Sequence, residues 1–300
     1  MDGLRVVSLL PSATEIVHGL GAGTTLVGRS EECDFPPAVR SLPIVMRARA
    51  WDSERSSQEI DERVRRVRGV GESLYELDLA QLRILAPEVI LTQDLCTVCS
   101  VTDTEVVAAC RATGIDPAIV TLGPRTLEEV WDSIEVVGAA IGLGERAGRM
   151  ADSLRSRSIP PTVLGGGKAP LVAIVEWLDP PILAGLWTPD IVAAAGGRPV
   201  ALDAGVPGLR TTWTDLEKVA PDLVVISPCS FSVDRTRAEL ATSPIRAQVA
   251  RLAPRAGIWL ADEAHFSRPG PRLAEGMHLV RALLEGRTPN GPLPAERWER

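Results

Sequence analysis

Apolar residues in this chain gather in short, nearly continuous runs that alternate with helix-like patterns. The first run, Leu4 to Leu10, is typical of a strand buried on both faces of a parallel sheet. A helix is predicted directly after it, because Ser12 and Glu15 have the spacing of a capping box. Strand and helix patterns continue to alternate at residues 78–85, 89–92, 104–113 and 117–121. Such alternation predicts βαβ units built on a parallel sheet.

A second alternating region begins at Leu171 and continues to Arg287. Residues 126–158, which precede it, contain no proline, and their apolar residues recur at helical spacing. One long helix is predicted there, with an interruption near Gly142. The fold prediction is an α/β protein of two Rossmann-like lobes with parallel sheets, joined by a long backbone helix. The predicted boundaries are 1–124 for the N-terminal lobe, 125–159 for the helix and 160–300 for the C-terminal lobe.

The two predicted lobes repeat a short pattern around a proline. When Pro87 is aligned with Pro221, the matching pairs are Leu82 and Leu216, Ala86 and Ala220, Glu88 and Asp222, and the apolar runs 89–91 and 223–225. An internal duplication is the simplest explanation. Because α/β folds bind ligands at the carboxyl ends of parallel strands, two such lobes predict a ligand-binding cleft between them.

One connection in the first lobe is long. Residues 34–75 exceed the usual length of a connector, and the spacing of Ile60, Val64 and Val67 predicts a short helix within them. Two interpretations stay open: the segment is a lid over the cleft, or it is a peripheral insertion.

Composition and charge exclude several classes of function. The chain has 300 residues, 45% apolar content and a formal charge of −7 spread along its length, which argues against nucleic-acid partners. No run approaches the roughly 20 apolar residues of a membrane-spanning helix, so direct membrane insertion is not expected. The N-terminus leads into an apolar run without a basic leader, and five cysteines are an odd number for a disulfide framework. Both features predict a cytoplasmic location.

Four cysteines and one histidine follow predicted strands and are candidate metal ligands. They are Cys33, Cys96, Cys99, Cys229 and His265. Thiolate and imidazole groups are common ligands of zinc and iron. The spacing of Cys96 and Cys99 also suits a thiol pair that cycles as a disulfide, and all four cysteines also fit free thiols in a polar wall. The sequence leaves these alternatives open.

Other residues at the predicted strand ends suit a small organic ligand. Trp177 and Trp187 can present flat aromatic faces, while carboxylates and one arginine can form hydrogen bonds at the rim. The predicted ligand-binding set is Ser12, Glu32, Asp34, Gln93, Asp94, Glu176, Trp177, Trp187, Phe231, Phe266 and Arg268. No nucleophile, base and orienting group form a catalytic pattern, so an enzyme is not predicted.

Several motifs resemble the periplasmic-binding-protein-like family that serves iron-siderophore, heme and cobalamin uptake, the helical-backbone metal receptors. They are residues 8–15 (SLLPSATE), 32–34 (ECD), 91–96 (LTQDLC) with Cys99, 176–177 (EW) and 268–272 (RPGPR). The cysteine-bearing motifs are similar to a leaderless cobalamin-binding branch of that family. The resemblance spans nearly the whole chain. It implies the class III substrate-binding-protein fold, with a corrinoid or metal chelate held between aromatic and polar side chains.

The expected function is a non-catalytic protein that binds cobalamin, another corrinoid or a related metal chelate in the cleft. The resemblance also suggests the hypothesis that His265 or a cysteine is an axial ligand of the bound metal. One alternative is a zinc, iron or thiol-redox protein that uses the cysteines, and another is an enzyme that acts on a bound cofactor. Because the sequence shows no export signal or lipid-anchor cysteine, an ABC-type permease is expected to be a doubtful partner.

Overall fold

The structure, a computed structural model, describes residues 3–49, 55–95, 101, 103–158, 168–287 and 295–299. The chain divides into two compact units. Unit 1 comprises Met1–Arg55, Glu59–Pro124 and Glu128–Arg155, and unit 2 comprises Ser56–Gln58, Arg125–Leu127 and Ser156–Arg300. Each unit is built around its own β-sheet, so the predicted α/β class with two units is confirmed.

The sheet of unit 1 has six strands within the described residues. They are β1 (Val6–Ser8), β2 (Leu26–Ser30), β3 (Ile44–Ala48), β4 (Tyr75–Leu77), β5 (Val89–Gln93) and β6 (Ala118–Leu122). Their spatial order is β4-β3-β2-β1-β5-β6, and all neighbours are parallel except β3 and β4. The central strand β1 is buried along its whole length, as expected for a strand covered on both faces.

The sheet of unit 2 has seven strands within the described residues. They are β7 (Leu171–Leu178), β8 (Pro181–Leu183), β9 (Arg198–Pro199), β10 (Leu209–Arg210), β11 (Leu223–Ile226), β12 (Ile258–Ala261) and β13 (Ala295–Arg297). The order is β10-β8-β7-β11-β12-β13, with β9 also paired to β7. Strands β7, β11 and β12 are parallel, whereas β8, β10 and β13 pair antiparallel to their neighbours. The parallel sheets predicted from sequence therefore carry antiparallel strands at their edges.

Eleven α-helices alternate with these strands along the part of the chain that the structure describes. They are α1 (Pro11–Gly19), α2 (Ser57–Gly69), α3 (Leu79–Leu85), α4 (Asp103–Thr113), α5 (Leu127–Ala140), α6 (Gly144–Arg157), α7 (Thr188–Ala194), α8 (Trp213–Val219), α9 (Val233–Thr242), α10 (Arg246–Val249) and α11 (Leu273–Leu284). In the described part of the chain, none of them is long and apolar enough to cross a membrane.

The start of α1 differs from the predicted capping box. Leu10 is the N-cap residue and Pro11 is the first helical residue, so Ser12 lies inside the first turn and is 2% exposed. Proline is favoured at this position because its fixed φ suits a helix and it has no amide hydrogen to leave unpaired. Ile16 and Val17 of the same helix are fully buried.

The predicted long helix over 126–158 consists of α5 and α6. The break falls at Gly142, whose φ of +75° is in the left-handed region that favours glycine. Gly138 of α5 and Ala147 of α6 approach so closely that a Cβ at Gly138 would overlap the Cβ of Ala147. The glycine is therefore needed where the two helices meet.

The long connection over 34–75 forms the β4-β3 edge of the unit 1 sheet, so it is part of that sheet and not an insertion outside it. It contributes β3, α2 and β4 in that order, and α2 confirms the short helix predicted from Ile60, Val64 and Val67. The lid interpretation stays a prediction. Val45, Leu74 and Tyr75 of this segment belong to the buried hydrophobic core of unit 1.

The internal duplication is visible in matching local structure. Helices α3 and α8 both end in an alanine in the left-handed conformation, Ala86 with φ of 42° and Ala220 with φ of 51°. The Glu88 carboxylate accepts a hydrogen bond at 3.0 Å from the amide of Arg5, just before β1. The Asp222 carboxylate accepts one at 2.8 Å from the amide of Leu171, the first residue of β7. The pairing of these residues by alignment therefore corresponds to equivalent positions in the two units.

Candidate functional site

The carboxyl ends of β7, β11 and β12 bring the predicted residues of unit 2 together. We call this region the unit 2 mouth; it consists of Glu176, Trp177, residues 227–231 and residues 262–268. The amide of Cys229 donates a hydrogen bond to the carbonyl of Glu176 at 3.0 Å. The Cys229 thiol lies 3.4 Å from the hydroxyl of Ser267. These contacts tie the three strand ends to one another.

Aromatic residues of the mouth pack around Phe231. The Trp177 ring meets the Phe231 ring edge-on, with centroids 5.5 Å apart and planes at 64°. The guanidinium of Arg235 lies 3.6 Å above the centre of the Phe231 ring, which is a cation–π geometry. Phe231 is 1% exposed, whereas Trp177 is only partly buried. Trp177 is therefore the ring of this pair with surface left to offer a ligand.

Trp187 and Phe266 have a supporting position. Trp187 is 6% exposed, and its indole Nε1 donates a 2.7 Å hydrogen bond to the Phe266 carbonyl. Phe266 is 2% exposed. This contact fixes the loop after β12 on the start of α7, because a buried indole N–H needs an acceptor.

Two side-chain contacts fix the loop after β12. Arg268 Nη2 lies 2.6 Å from Glu263 Oε1, and both side chains are about nine-tenths buried. His265 is 3% exposed, and its Nε2 lies 3.1 Å from Oε2 of Glu275 in α11. The buried Arg268–Glu263 pair orients the loop strongly, since removing one partner leaves an uncompensated charge.

Three buried polar atoms here have no hydrogen-bond partner among the described residues. They are Trp177 Nε1, Ser227 Oγ and His265 Nδ1. The great majority of buried polar groups in folded proteins are hydrogen-bonded. The mouth therefore contains hydrogen-bonding capacity that the described protein groups do not use.

Glu176 is placed by a close approach to Gly208. A Cβ at Gly208 would overlap the Glu176 carboxylate oxygen and lie 3.0 Å from the Leu183 carbonyl, so a larger residue there would displace the carboxylate. Gly185 makes a similar approach to the backbone of the same loop. The sequence singled out Glu176 but not these glycines, because their role depends on a contact between distant segments.

The carboxyl edge of the unit 1 sheet holds the remaining predicted residues. Glu32 and Asp34 follow β2 and are partly buried, and Asp34 lies 3.6 Å from Arg40. Gln93 ends β5 and is partly buried, while Asp94 is exposed. Ser12 is buried in α1. The edge of unit 1 is therefore rich in groups that accept hydrogen bonds.

Arg29 organises this edge, although sequence analysis missed it. It is 7% exposed, and its guanidinium donates to the carbonyls of Ser30 at 3.0 Å, Glu31 at 3.1 Å and Arg40 at 3.1 Å. An arginine within a strand usually points to solvent, so its inward orientation could not be predicted from residue type alone. Its three bonds hold the loop that contains Glu32 and Asp34.

The cysteines differ in their surroundings. Cys33 is fully buried, and its sulfur lies 3.1 Å from the Thr14 hydroxyl and 3.9 Å from the Ser8 carbonyl. Cys229 is partly exposed. Burial, and then the nearby Asp116 carboxylate, raises the pKa of the Cys110 thiol. Cys96 and Cys99 lie outside the described residues. Within the described part of the chain, no group of three or more His, Cys, Asp or Glu side chains could hold a metal ion.

The chain matches no protein-family model and no curated protein sequence. It is, however, similar in structure to a periplasmic heme-binding protein from Pseudomonas aeruginosa, with a TM-score of 0.73, 20% identity and 99% of each chain covered. The periplasmic vitamin B12-binding protein BtuF of Vibrio cholerae has a TM-score of 0.62 and 20% identity, covering 94% of this chain and 96% of its own. An ABC-type Fe3+-hydroxamate transport protein from Saccharomonospora viridis has a TM-score of 0.63 and 17% identity, covering 95% and 94%. The chain thus has the class III substrate-binding-protein fold that the motifs implied.

Two expectations change with this comparison. The predicted cytoplasmic location is wrong, because the heme- and B12-binding proteins that share the fold are periplasmic. The cysteine count was a poor guide to compartment, since buried thiols such as Cys33 are shielded from oxidation wherever the protein resides. The doubt about a permease partner is likewise unsupported, because proteins of this fold include an ABC transporter substrate-binding protein.

Proposed function

We propose that this protein is a non-catalytic solute-binding protein whose ligand is a metal chelate. The observation that carries the proposal is the shared fold, which covers almost the full length of both chains in proteins that bind heme, vitamin B12 or ferric hydroxamate. Fold alone does not determine function, so the proposal also rests on the side chains at the carboxyl edges of the sheets.

A corrinoid such as cobalamin is the preferred ligand in this proposal. Corrinoids have apolar faces and an amide-bearing rim, so they need an aromatic surface and hydrogen-bond acceptors. Trp177 supplies a partly exposed ring, and Glu176 next to it supplies a carboxylate. Unit 1 has carboxylates of the same kind, Glu32 and Asp34, at the carboxyl edge of its own sheet.

The charge of these groups argues for a corrinoid over heme. Heme carries carboxylates of its own, which the acidic side chains would repel. The arginine predicted to meet an anion, Arg268, is already paired with Glu263 at 2.6 Å. Of heme and a corrinoid, the corrinoid, whose rim bears amides, therefore suits these side chains better.

The proposal includes transport outside the cytoplasm, with an ABC-type permease receiving the ligand. It is supported by the periplasmic location and transporter association of proteins with this fold. The zinc, iron or thiol-redox alternative depends on Cys96 and Cys99, which lie outside the described residues, so it stays a prediction.

Substitution of Trp177 tests the proposal. Trp177→Ala removes the aromatic surface and is expected to weaken cyanocobalamin binding by about tenfold, while Trp177→Phe, which keeps a flat ring, is expected to stay within a few-fold of the natural protein. Glu176→Gln tests the role of the carboxylate beside Trp177. Its control is Glu145→Gln, which removes a carboxylate from the exposed face of α6. Equal binding by all four variants, measured by isothermal titration calorimetry, would exclude Trp177 and Glu176 from the site.

A further inference from the structure

Unit 2 contains a cavity of about 550 Å³ at the amino ends of β11 and β12. Asp222 and Ala256, which precede these strands, line one side of it. Cys229 and His265 follow the same strands, so the side of the cavity formed by Asp222 and Ala256 lies at the opposite ends of these strands from the unit 2 mouth. The lining continues along β13 to Ala295, which pairs with Ala261 of β12. The volume is in the range of small-molecule sites, roughly 300–1,000 Å³.

One wall of the cavity is apolar. It is formed by Trp259 of β12 and by Leu283 and Leu284 at the end of α11. The Trp259 indole Nε1 donates to the Ala256 carbonyl at 3.0 Å, so the polar atom of the ring is already satisfied. Trp259 is 9% exposed, so a small part of its apolar ring surface is open to the cavity, next to the partly buried Leu284.

Gly257 lies next to two of the lining residues. Gly257 has a φ of +89°, and a Cβ there would lie 3.2 Å from Arg297 Nε and 3.3 Å from Trp259 Nε1. Arg297 and Trp259 are also directly opposed in the β12–β13 pairing. A guanidinium and an aromatic ring therefore lie side by side at the cavity.

The charges that line the cavity favour an anion. Three arginines contribute, Arg255, Arg287 and Arg297, against the carboxylates of Asp222 and Glu296. Arg287 is paired with Glu285, and Arg255 lies 3.9 Å from Asp222. Within the described lining, the unpaired positive charge is therefore that of Arg297. An excess of positive charge beside an apolar wall is the surface that an amphiphilic anion recognises.

Each lining carboxylate is held in place by a different group. Asp222 Oδ2 accepts a hydrogen bond from the Leu171 amide at 2.8 Å, and Asp222 Oδ1 forms a long ion pair of 3.9 Å with the exposed side chain of Arg255. Both oxygens of Glu296 are bound by the guanidinium of Arg237, which does not line the cavity. Arg297 is exposed and has no ion-pair partner among the described residues.

We propose that this cavity is a second binding site, for an organic carboxylate with an apolar body. The carboxylate is placed against Arg297 and Arg255, whose planar guanidinium groups can each donate two parallel hydrogen bonds. The apolar body is placed against Trp259, Leu283 and Leu284. The site lies away from the unit 2 mouth and does not depend on the proposed metal-chelate function.

Titration of the full chain with three probes tests the ligand class. Decanoate has both the carboxylate and the apolar body, decanol lacks the charge, and inorganic phosphate lacks the apolar body. Saturable one-to-one binding of decanoate, at least about tenfold tighter than either of the others, is the expected result by calorimetry. Absence of saturable decanoate binding, or binding of decanol at equal strength, overturns the proposal.

Two variants locate the binding. Arg255→Gln combined with Arg297→Gln is expected to weaken decanoate binding about tenfold or more, because both charged hydrogen bonds are lost. Arg251→Gln is the matched control, since Arg251 pairs with Glu217 at 3.0 Å and does not line the cavity. Trp259→Phe is expected to remove any change in tryptophan fluorescence on decanoate binding. Equal loss in Arg251→Gln, or no loss in the double variant, places decanoate elsewhere and refutes the assignment.

Discussion

The same substitution, glycine to alanine, is expected to have opposite effects at two positions of the α5–α6 region. Gly148, inside α6, has no heavy atom within 4 Å of the position of a new Cβ. Alanine there reduces the backbone freedom of the unfolded chain without a contact penalty, which stabilises a helix by about 0.5–1 kcal/mol. Gly148→Ala should therefore raise the free energy of unfolding by about that amount.

At Gly138 the same gain is outweighed by overlap. The new Cβ would fall far inside the 3.4 Å at which ordinary contact with Ala147 begins, and it would lie 3.3 Å from the Leu143 carbonyl oxygen. Helices α5 and α6 would have to separate, and overpacking of this kind costs about 1–3 kcal/mol. After the helix-propensity gain is subtracted, Gly138→Ala should lower the free energy of unfolding by up to about 2.5 kcal/mol.

Chemical denaturation followed by far-UV circular dichroism measures both changes. Ala147→Gly removes the atom that Gly138→Ala would overlap, so the double variant should lose less stability than the two single losses together. If Gly138→Ala proves as stable as Gly148→Ala, or if Ala147→Gly gives no rescue, the close approach of α5 and α6 is wrong.

Three further predictions concern charge and thiol chemistry. Arg155 lies 2.5–3.4 Å from four carboxylates and is 27% exposed. At about 0.5 kcal/mol for each ion pair, Arg155→Met should destabilise the protein by about 2 kcal/mol at low salt. The loss should be smaller at high salt, which screens these charges. Burial, and then the charges of Arg157 and Arg281, lower the pKa of His278 from its ordinary 6.5. The folded protein therefore resists protonation of His278, and its free energy of unfolding should fall as the pH drops below 6.5. In urea denaturation, His278→Gln should reduce this dependence of stability on pH. With serine at positions 96 and 99, Cys229 should react with a thiol reagent well before Cys110, whose pKa is raised by burial.

The controls for these variants differ. Arg149→Met removes a 3.8 Å pair between side chains that are 71% and 95% exposed, so it should change stability by less than about 0.5 kcal/mol. An equal loss in Arg149→Met and Arg155→Met would contradict the four-carboxylate network. A pH slope that is unchanged in His278→Gln, or faster labelling of Cys110 than of Cys229, would contradict the other two predictions.

Periodic patterns in the sequence predicted most of the fold. The apolar run at Leu4 to Leu10 became the central strand of unit 1, and the alignment of Pro87 with Pro221 identified equivalent positions in the two units. Such predictions succeed because burial on both faces of a strand, or on one face of a helix, leaves a regular spacing. In segment 34–75 the spacing of Ile60, Val64 and Val67 correctly predicted α2, whereas β3 and β4 escaped prediction because they are short.

The candidate site was only partly predictable. Position after a strand correctly brought Trp177 and Cys229 to the same edge, but it does not determine which way a loop side chain points. Trp187 is buried against the Phe266 carbonyl, and Cys33 is enclosed beside Thr14. Those orientations depend on contacts between residues far apart in sequence, which no local spacing records.

Titration of the full-length protein with cyanocobalamin by calorimetry, with hemin and a ferric hydroxamate in parallel, tests the central claim most directly. The account predicts saturable one-to-one binding of a metal chelate, tightest for cyanocobalamin. Tighter binding of hemin would retain the metal-chelate function and contradict the argument from the acidic side chains. Failure of all three chelates to bind would contradict the proposed function itself.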